Sequence, residues 1–167
     1  AATLTVADLP PTIEWQKCFG GSDIEGQTFI QQTNDGGYII TGLSGSNNGD
    51  VTGNHGNYDY WVVKVNSGGN IQWQKCLGGS NLDAGNVIRQ TSDGGYIVTG
   101  NVYSSDGDIT GYHGNSDYWV VKLNSSGNIQ WQKTLGGSGV DAAYDIQQTN
   151  DGGYVVAGYG SSNDGDQ

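Results

Sequence analysis

Three stretches place short oxygen-bearing side chains at alternate positions around a glycine: Asn47-Asn48-Gly49-Asp50, Ser105-Asp106-Gly107-Asp108 and Asn163-Asp164-Gly165-Asp166. Calcium takes about six to eight oxygens from carboxylates, amides and backbone carbonyls. Asn48, Asp50, Asp106, Asp108, Asp164 and Asp166 are therefore the candidate metal residues, with calcium as their ion, although nothing else in the chain requires a cofactor. The spacing falls short of the full D-x-[DN]-x-[DN]-G loop with its distal Glu. Asx side chains that bond their own backbone in turns produce the same pattern, and both readings stay open.

His55 and His113 stand four residues ahead of Asp59 and Asp117. Zinc needs three or four protein ligands, and two histidines and two cysteines in the whole chain are too few to supply them in each copy. A hydrogen bond from imidazole to carboxylate that pins the loop is the simpler expectation. Tyr58, Tyr103 and Tyr112 lie on the same loops, and with His55 and His113 they form a candidate ligand-binding set. Aromatic faces beside Asn and Asp suit a glycan. Trp15, Trp73, Trp131, Trp61 and Trp119 sit inside predicted strands and read as packing residues. No catalytic set emerges: there is no G-x-S-x-G elbow, and an active site copied into every repeat would be unusual. The chain is not expected to be an enzyme. Cys18 and Cys76 occupy one position in successive copies, and Thr134 takes it in the third. That pattern predicts two buried free thiols rather than a bridge, a metal site or a nucleophile.

What positions these residues is a repeat. WQKCFGGS at Trp15 returns as WQKCLGGS at Trp73 and WQKTLGGS at Trp131, and DGGY recurs with the same step at Asp35, Asp93 and Asp151. Fixed-period self-similarity marks solenoids, propellers or small symmetric β-folds. With 30 glycines, no methionine and apolar residues in short Val/Ile/Tyr/Trp clusters, the unit is β. In the middle copy, Asn86 to Thr91 and Tyr96 to Gly100 flank Asp93-Gly94, a dipeptide suited to a tight hairpin. A long polar loop, Asn101 to Ser116, leads to strands over 117–124 and 129–135. Each unit thus predicts four strands in meander order. In the fourth strand Ile71, Trp73, Lys75 and Leu77 share one face. In the third, Trp61, Val63 and Val65 oppose Tyr60, Val62 and Lys64. Both faces carry bulk, so both are expected to be buried.

The fold expected is all-β, a β-propeller of four-stranded repeats with about three blades per chain; a β-trefoil is the alternative. Residues 1–12 read as a linker or an N-terminal closing strand, and 13–167 as the repeats, with units at about 15–72, 73–130 and an incomplete 131–167. Leu4 to Ala7 and Ile13 to Phe19 look like a third and a fourth strand. The chain closes on a first and a second. Three blades are too few for a ring, since propellers typically carry about 4 to 8, and open edges are templates for another chain. A head-to-tail homo-oligomer is expected, most simply a dimer, unless further repeats of a longer chain fill the same role.

The set WQK-x-LGGS, T-x-DGGYI, S-x-DGD-x-TG-x-HG and DYWVVKLN-S-x-GNI resembles the DGGY-type repeats of bacterial and archaeal surface proteins. The resemblance covers residues 13–167 and implies a non-catalytic, extracellular binding or assembly module, secreted or on the cell surface. A calcium-assisted lectin using the long loops is the second functional expectation. The formal charge of -11 argues against nucleic acid, whose recognition is built on clustered Lys and Arg. No stretch approaches the roughly 20 apolar residues of a membrane-spanning helix. Five of the six cations recur in register, Lys17, Lys75 and Lys133 in one and Lys64 and Lys122 in the other, and read as architecture.

Overall fold

A computed structural model describes residues 12–166. Ten strands and no helix occupy them. The first sheet is β1 (Glu25–Gln32), β2 (Tyr38–Ser44), β3 (Asp59–Val65) and β4 (Ile71–Leu77). The second is β5 (Asp83–Gln90), β6 (Tyr96–Val102), β7 (Asp117–Leu123) and β8 (Ile129–Leu135), and β9 (Asp141–Gln148) pairs β10 (Tyr154–Gly160). Every pairing within the sheets is antiparallel and every neighbour is consecutive in sequence. The protein is all-β, as its composition implies, and no barrel closes among the described residues.

Turn chemistry fixes the hairpins. Thr33 N–H bonds Gly37 O at 2.9 Å, Gly36 adopts φ +79° and the Asp35 carboxylate accepts the Gly37 N–H at 3.0 Å. Positive φ costs glycine nothing, and Gly94 and Gly152 repeat it at 79° and 89°. The second hairpin turns on Asn66, whose side-chain oxygen accepts the N–H groups of Gly68 and Asn70 at 3.0 and 2.9 Å.

The sheets stack with one offset. β5 lies against β1, β2 and β3, and β9 lies in the same way against β5, β6 and β7. Ile39, Tyr60, Val62 and Leu77 of the first sheet pack on Ile88, Val98, Trp119 and Val121 of the second. Ile97 and Val120 then pack on Ile146, with Tyr154 and Val156 beside them. Both faces of the middle sheet are thus buried, as the alternation predicts. One detail differs: Ile71 joins Trp61, Val63 and Val65 rather than the face of Trp73. A register shift between Lys64 and Val65 pairs Lys64 with Trp73 and Val65 with Ile71, and such a bulge moves the next side chain to the other face.

A tryptophan joins each sheet to the next. The Trp73 ring meets Tyr96 edge-on, centroids 5.6 Å apart, and lies so close to Gly127 that a Cβ there would fall 2.7 Å from the indole. Trp15 treats Tyr38 (5.9 Å) and Gly69 in the same manner. The segment around Trp15 therefore occupies, against the first sheet, the place that β4 occupies against the second. The strand expected over Ile13 to Phe19 is not formed, because no ladder partner stands beside it among the described residues. The strand expected at Leu4 to Ala7 lies outside the described residues, as does nearly all of the proposed 1–12 segment.

Candidate functional site: the loop clasps and the open faces

Each long loop clasps the Gly-Gly-Ser connection that leads into its own sheet. The backbone N–H groups of Asp50, Asp108 and Asp166 bond the carbonyls of Gly20, Gly78 and Gly136 at 3.0, 3.0 and 3.1 Å. Side chains complete the clasp. Asn48 Oδ1 accepts the Ser22 N–H at 2.9 Å, and Asp106 Oδ1 and Asp164 Oδ1 accept those of Ser80 and Ser138 at 2.8 Å. The bond from Ser80 holds the Asp106 carboxyl below its ordinary range, and that from Ser138 does so for Asp164. Asp50 and Asp108 accept the N–H of Gly20 and Gly78 at 3.2 and 3.4 Å. Asn48, Asp50, Asp106, Asp108 and Asp164 thus each have a side-chain oxygen engaged by an amide donor, while Asp166 Oδ2 lies 4.0 Å from Lys133 Nζ; among the described residues no group of three or more His, Cys, Asp or Glu is arranged to hold a metal ion.

The two histidines pin their loops. Asp59 Oδ2 accepts the His55 backbone N–H at 3.0 Å and meets Nδ1 at 2.6 Å; Asp117 Oδ2 does the same for His113 at 2.8 and 3.0 Å. Both carboxylates are fully buried. Tyr58 and Tyr103 lie beside Leu82, and the three tyrosines differ in what holds them. Tyr58 and Tyr103 bond the carbonyls of Asn81 and Leu82 through their backbones, while the Tyr112 hydroxyl donates to Asn115 O at 2.8 Å and its ring packs on the core. Tyr103 is the exposed one.

Local sequence gave no signal for Asp83 and Asp141, buried carboxylates that follow the Gly-Gly-Ser connections. Only their recurrence at one place in the repeat marks them. Lys64 and Lys122 are the architectural cations expected: Lys64 Nζ donates to Asp35 at 2.9 Å, to Val65 O at 3.0 Å and to Gln72 at 3.0 Å, and Lys122 repeats the set with Asp93, Leu123 O and Gln130. The cysteines are free, as expected, but only Cys76 is buried. Burial pushes its thiol up to about 12. Cys18, expected to be buried, is exposed, because its segment lacks the sheet neighbours that cover Cys76.

Two sheet faces with apolar residues stand open. On the outer side of the first sheet, Trp15, Phe19, Ile30, Ile40, Trp61 and Val63 line a cavity of about 430 Å³. Ile30 is 57% exposed, whereas its repeat equivalent Ile88 is fully buried against the preceding sheet. At the other end, Val155 is 56% exposed, whereas its equivalents Ile39 and Ile97 are fully buried against the following sheet. Among the described residues, each face thus lacks the contact that its copy makes within the chain. No protein-family model matches this chain, and no curated protein does.

Proposed function

We propose that this protein is a non-catalytic assembly module of the DGGY-repeat type, a β-propeller whose ring is completed by head-to-tail pairing with a second copy. The observation that carries this reading is the exposure of Ile30 and Val155 where Ile88 and Ile97 are buried. The β9–β10 face of one copy meets the first sheet of the other, and the segment around Trp15 stands where the fourth strand of that composite sheet belongs. Two copies give six sheets, within the usual range for propellers.

Contacts inside the chain supply the register. Gln90 N–H donates to Gln31 Oε1 at 2.7 Å, and Asn34 and Ser92 N–H donate to Gln90 and Gln148 Oε1 at 2.9 Å. Carried on to the repeat-equivalent positions, Asn150 N–H of the second copy donates to Gln32 Oε1, and Gln32 N–H donates to Gln147 Oε1 of the second copy. Aromatic and branched residues on both faces provide the drive, at about 1.5–3 kcal/mol for each large apolar side chain fully buried. A secreted or cell-surface setting fits the composition.

Light scattering tests the reading. A particle of twice the 17.5 kDa chain mass at micromolar concentration is the expected result; a monomer at every accessible concentration overturns it.

A further inference from the structure

Buried polar atoms in folded proteins nearly always have a partner, so each exception asks for an explanation. Among the described residues two carboxylate oxygens have none: Asp59 Oδ1 and Asp117 Oδ1, both in fully buried residues. They occupy the same place in successive repeats, and each faces a second buried carboxylate across a glycine. A Cβ on Gly78 would stand 2.7 Å from Asp59 Oδ1 and 2.9 Å from Asp83 Oδ2; on Gly136 it would stand 2.7 Å from Asp117 Oδ1 and 2.9 Å from Asp141 Oδ2. Each pair spans two sheets, Asp59 on β3 with Asp83 on β5 and Asp117 on β7 with Asp141 on β9.

The members of each pair are not alike. Asp83 accepts four donors: Gly79 N–H at 2.8 Å and the Ser104 hydroxyl at 2.7 Å on Oδ2, with Tyr103 and Ser104 N–H at 3.0 and 3.3 Å on Oδ1. Asp141 accepts the matching four from Gly137, Ser162 and Ser161. A carboxylate with its lone pairs so occupied is the ionised member. It has little left to offer a metal ion. Asp59 and Asp117 use only Oδ2, for the histidine four residues back.

We propose that Asp59 and Asp117 each hold a proton on Oδ1, so that each pair of neighbouring sheets is latched by two carboxyl groups carrying one negative charge between them. Two bare carboxylates so placed would repel in a site that water does not reach. The surroundings supply little compensation. Around the first pair stand His55, Asp108 (4.0 Å from His55 Nε2), Cys76, Tyr60 and Tyr112; around the second stand His113, Tyr112, Tyr118, Asp164 and Asp166. The imidazoles bond the opposite oxygen, and the Lys133 ammonium stands beyond Asp166, 4.0 Å from its Oδ2. Burial raises the carboxyls of Asp59 and Asp117 despite the lowering bonds from His55 and His113, and the facing aspartate adds to the rise. Burial also raises Asp83, whereas at the open end its counterpart Asp141 is brought below the ordinary range by its four donors despite burial.

A folded carboxyl that keeps its proton above the unfolded value stabilises the fold at low pH. That contribution is lost as pH rises to the folded midpoint. Each latch should therefore lower the folding constant about tenfold per pH unit across that window. Carboxyl carbon NMR of aspartate-labelled protein reads the proton directly and separates it from imidazole titration, with Asp59→Asn and Asp117→Asn assigning the two signals. Both signals are expected to stay in the protonated position after the exposed aspartates have ionised; ionisation together with those aspartates overturns the latch. Asp59→Asn, which presents a neutral amide to Asp83, should remove one tenfold-per-unit component from the pH dependence of denaturant unfolding, and an unchanged slope also overturns it. If that variant does not fold, a titration midpoint in the wild-type spectrum at the ordinary aspartate value for every buried carboxyl still contradicts the proposal, and a raised one supports it.

Discussion

Glycines with different surroundings separate two kinds of cost. Gly36 has φ +79° and nothing within 4 Å of an added Cβ, so Gly36→Ala should cost only the left-handed backbone penalty, about 1–2 kcal/mol. At Gly78 a Cβ would push on two buried carboxyl oxygens. Gly78→Ala should cost about 3 kcal/mol or more, the range of disruptive buried changes, and comparison of the two unfolding curves checks the order. Asp35 shows the opposite pH behaviour to the latch. Hydrogen bonds from Thr33 and Lys64 hold its carboxyl well below the usual range, so its contribution is present above the unfolded carboxylate value and lost on acidification. Asp35→Asn removes the negative charge beside the buried Lys64 ammonium, and should cost about 1–3 kcal/mol while flattening the acid limb of a pH–stability profile. Much of this scale was hidden from the sequence. The clasps that the loop Asn and Asp side chains make could not be read locally because their donors, on Ser22, Ser80 and Ser138, lie 26 residues earlier in the chain. No local pattern reveals partners at that distance.

The elements were far more legible. The Asn124-Ser125-Ser126-Gly127-Asn128 turn and the period-two alternation placed β7 and β8 to within a residue. β5 begins three residues before the expected Asn86, and Asp83 at its start accepts the N–H groups of Tyr103 and Ser104, partners about 20 residues on. The bulge that turns Ile71 over, and the failure of 13–19 to form a ladder, depend on partners that alternation alone does not supply. Between sheets, the tryptophans should be graded by what covers them. Trp73 has Tyr96 and Gly127 against it, whereas Trp131 keeps Tyr154 but is 41% exposed. Trp73→Ala should cost about 3 kcal/mol, near the usual cost of deleting a buried aromatic, and Trp131→Ala at least 1 kcal/mol less, as read by denaturant midpoints at constant slope.

For the whole molecule, the repeat makes the two ends comparable with the middle. Ile88 and Ile97 define what buried means at positions where Ile30 and Val155 are open. In the proposed ring, Cys18 should gain the cover that Cys76 has, so its alkylation should slow as protein concentration rises through the assembly range; a concentration-independent rate would count against pairing. Head-to-tail geometry is heterologous, with one face given and a different one received. Ile30→Asp spoils only the receiving face and Val155→Asp only the giving one. Sedimentation of the two variants, apart and mixed, therefore tests the complementarity most directly. The account predicts that each alone stays at the mass of one chain and that the mixture forms a particle of two, through its single intact interface. A mixture that remains at the mass of one chain, or variants that still pair alone as the wild type does, would contradict it.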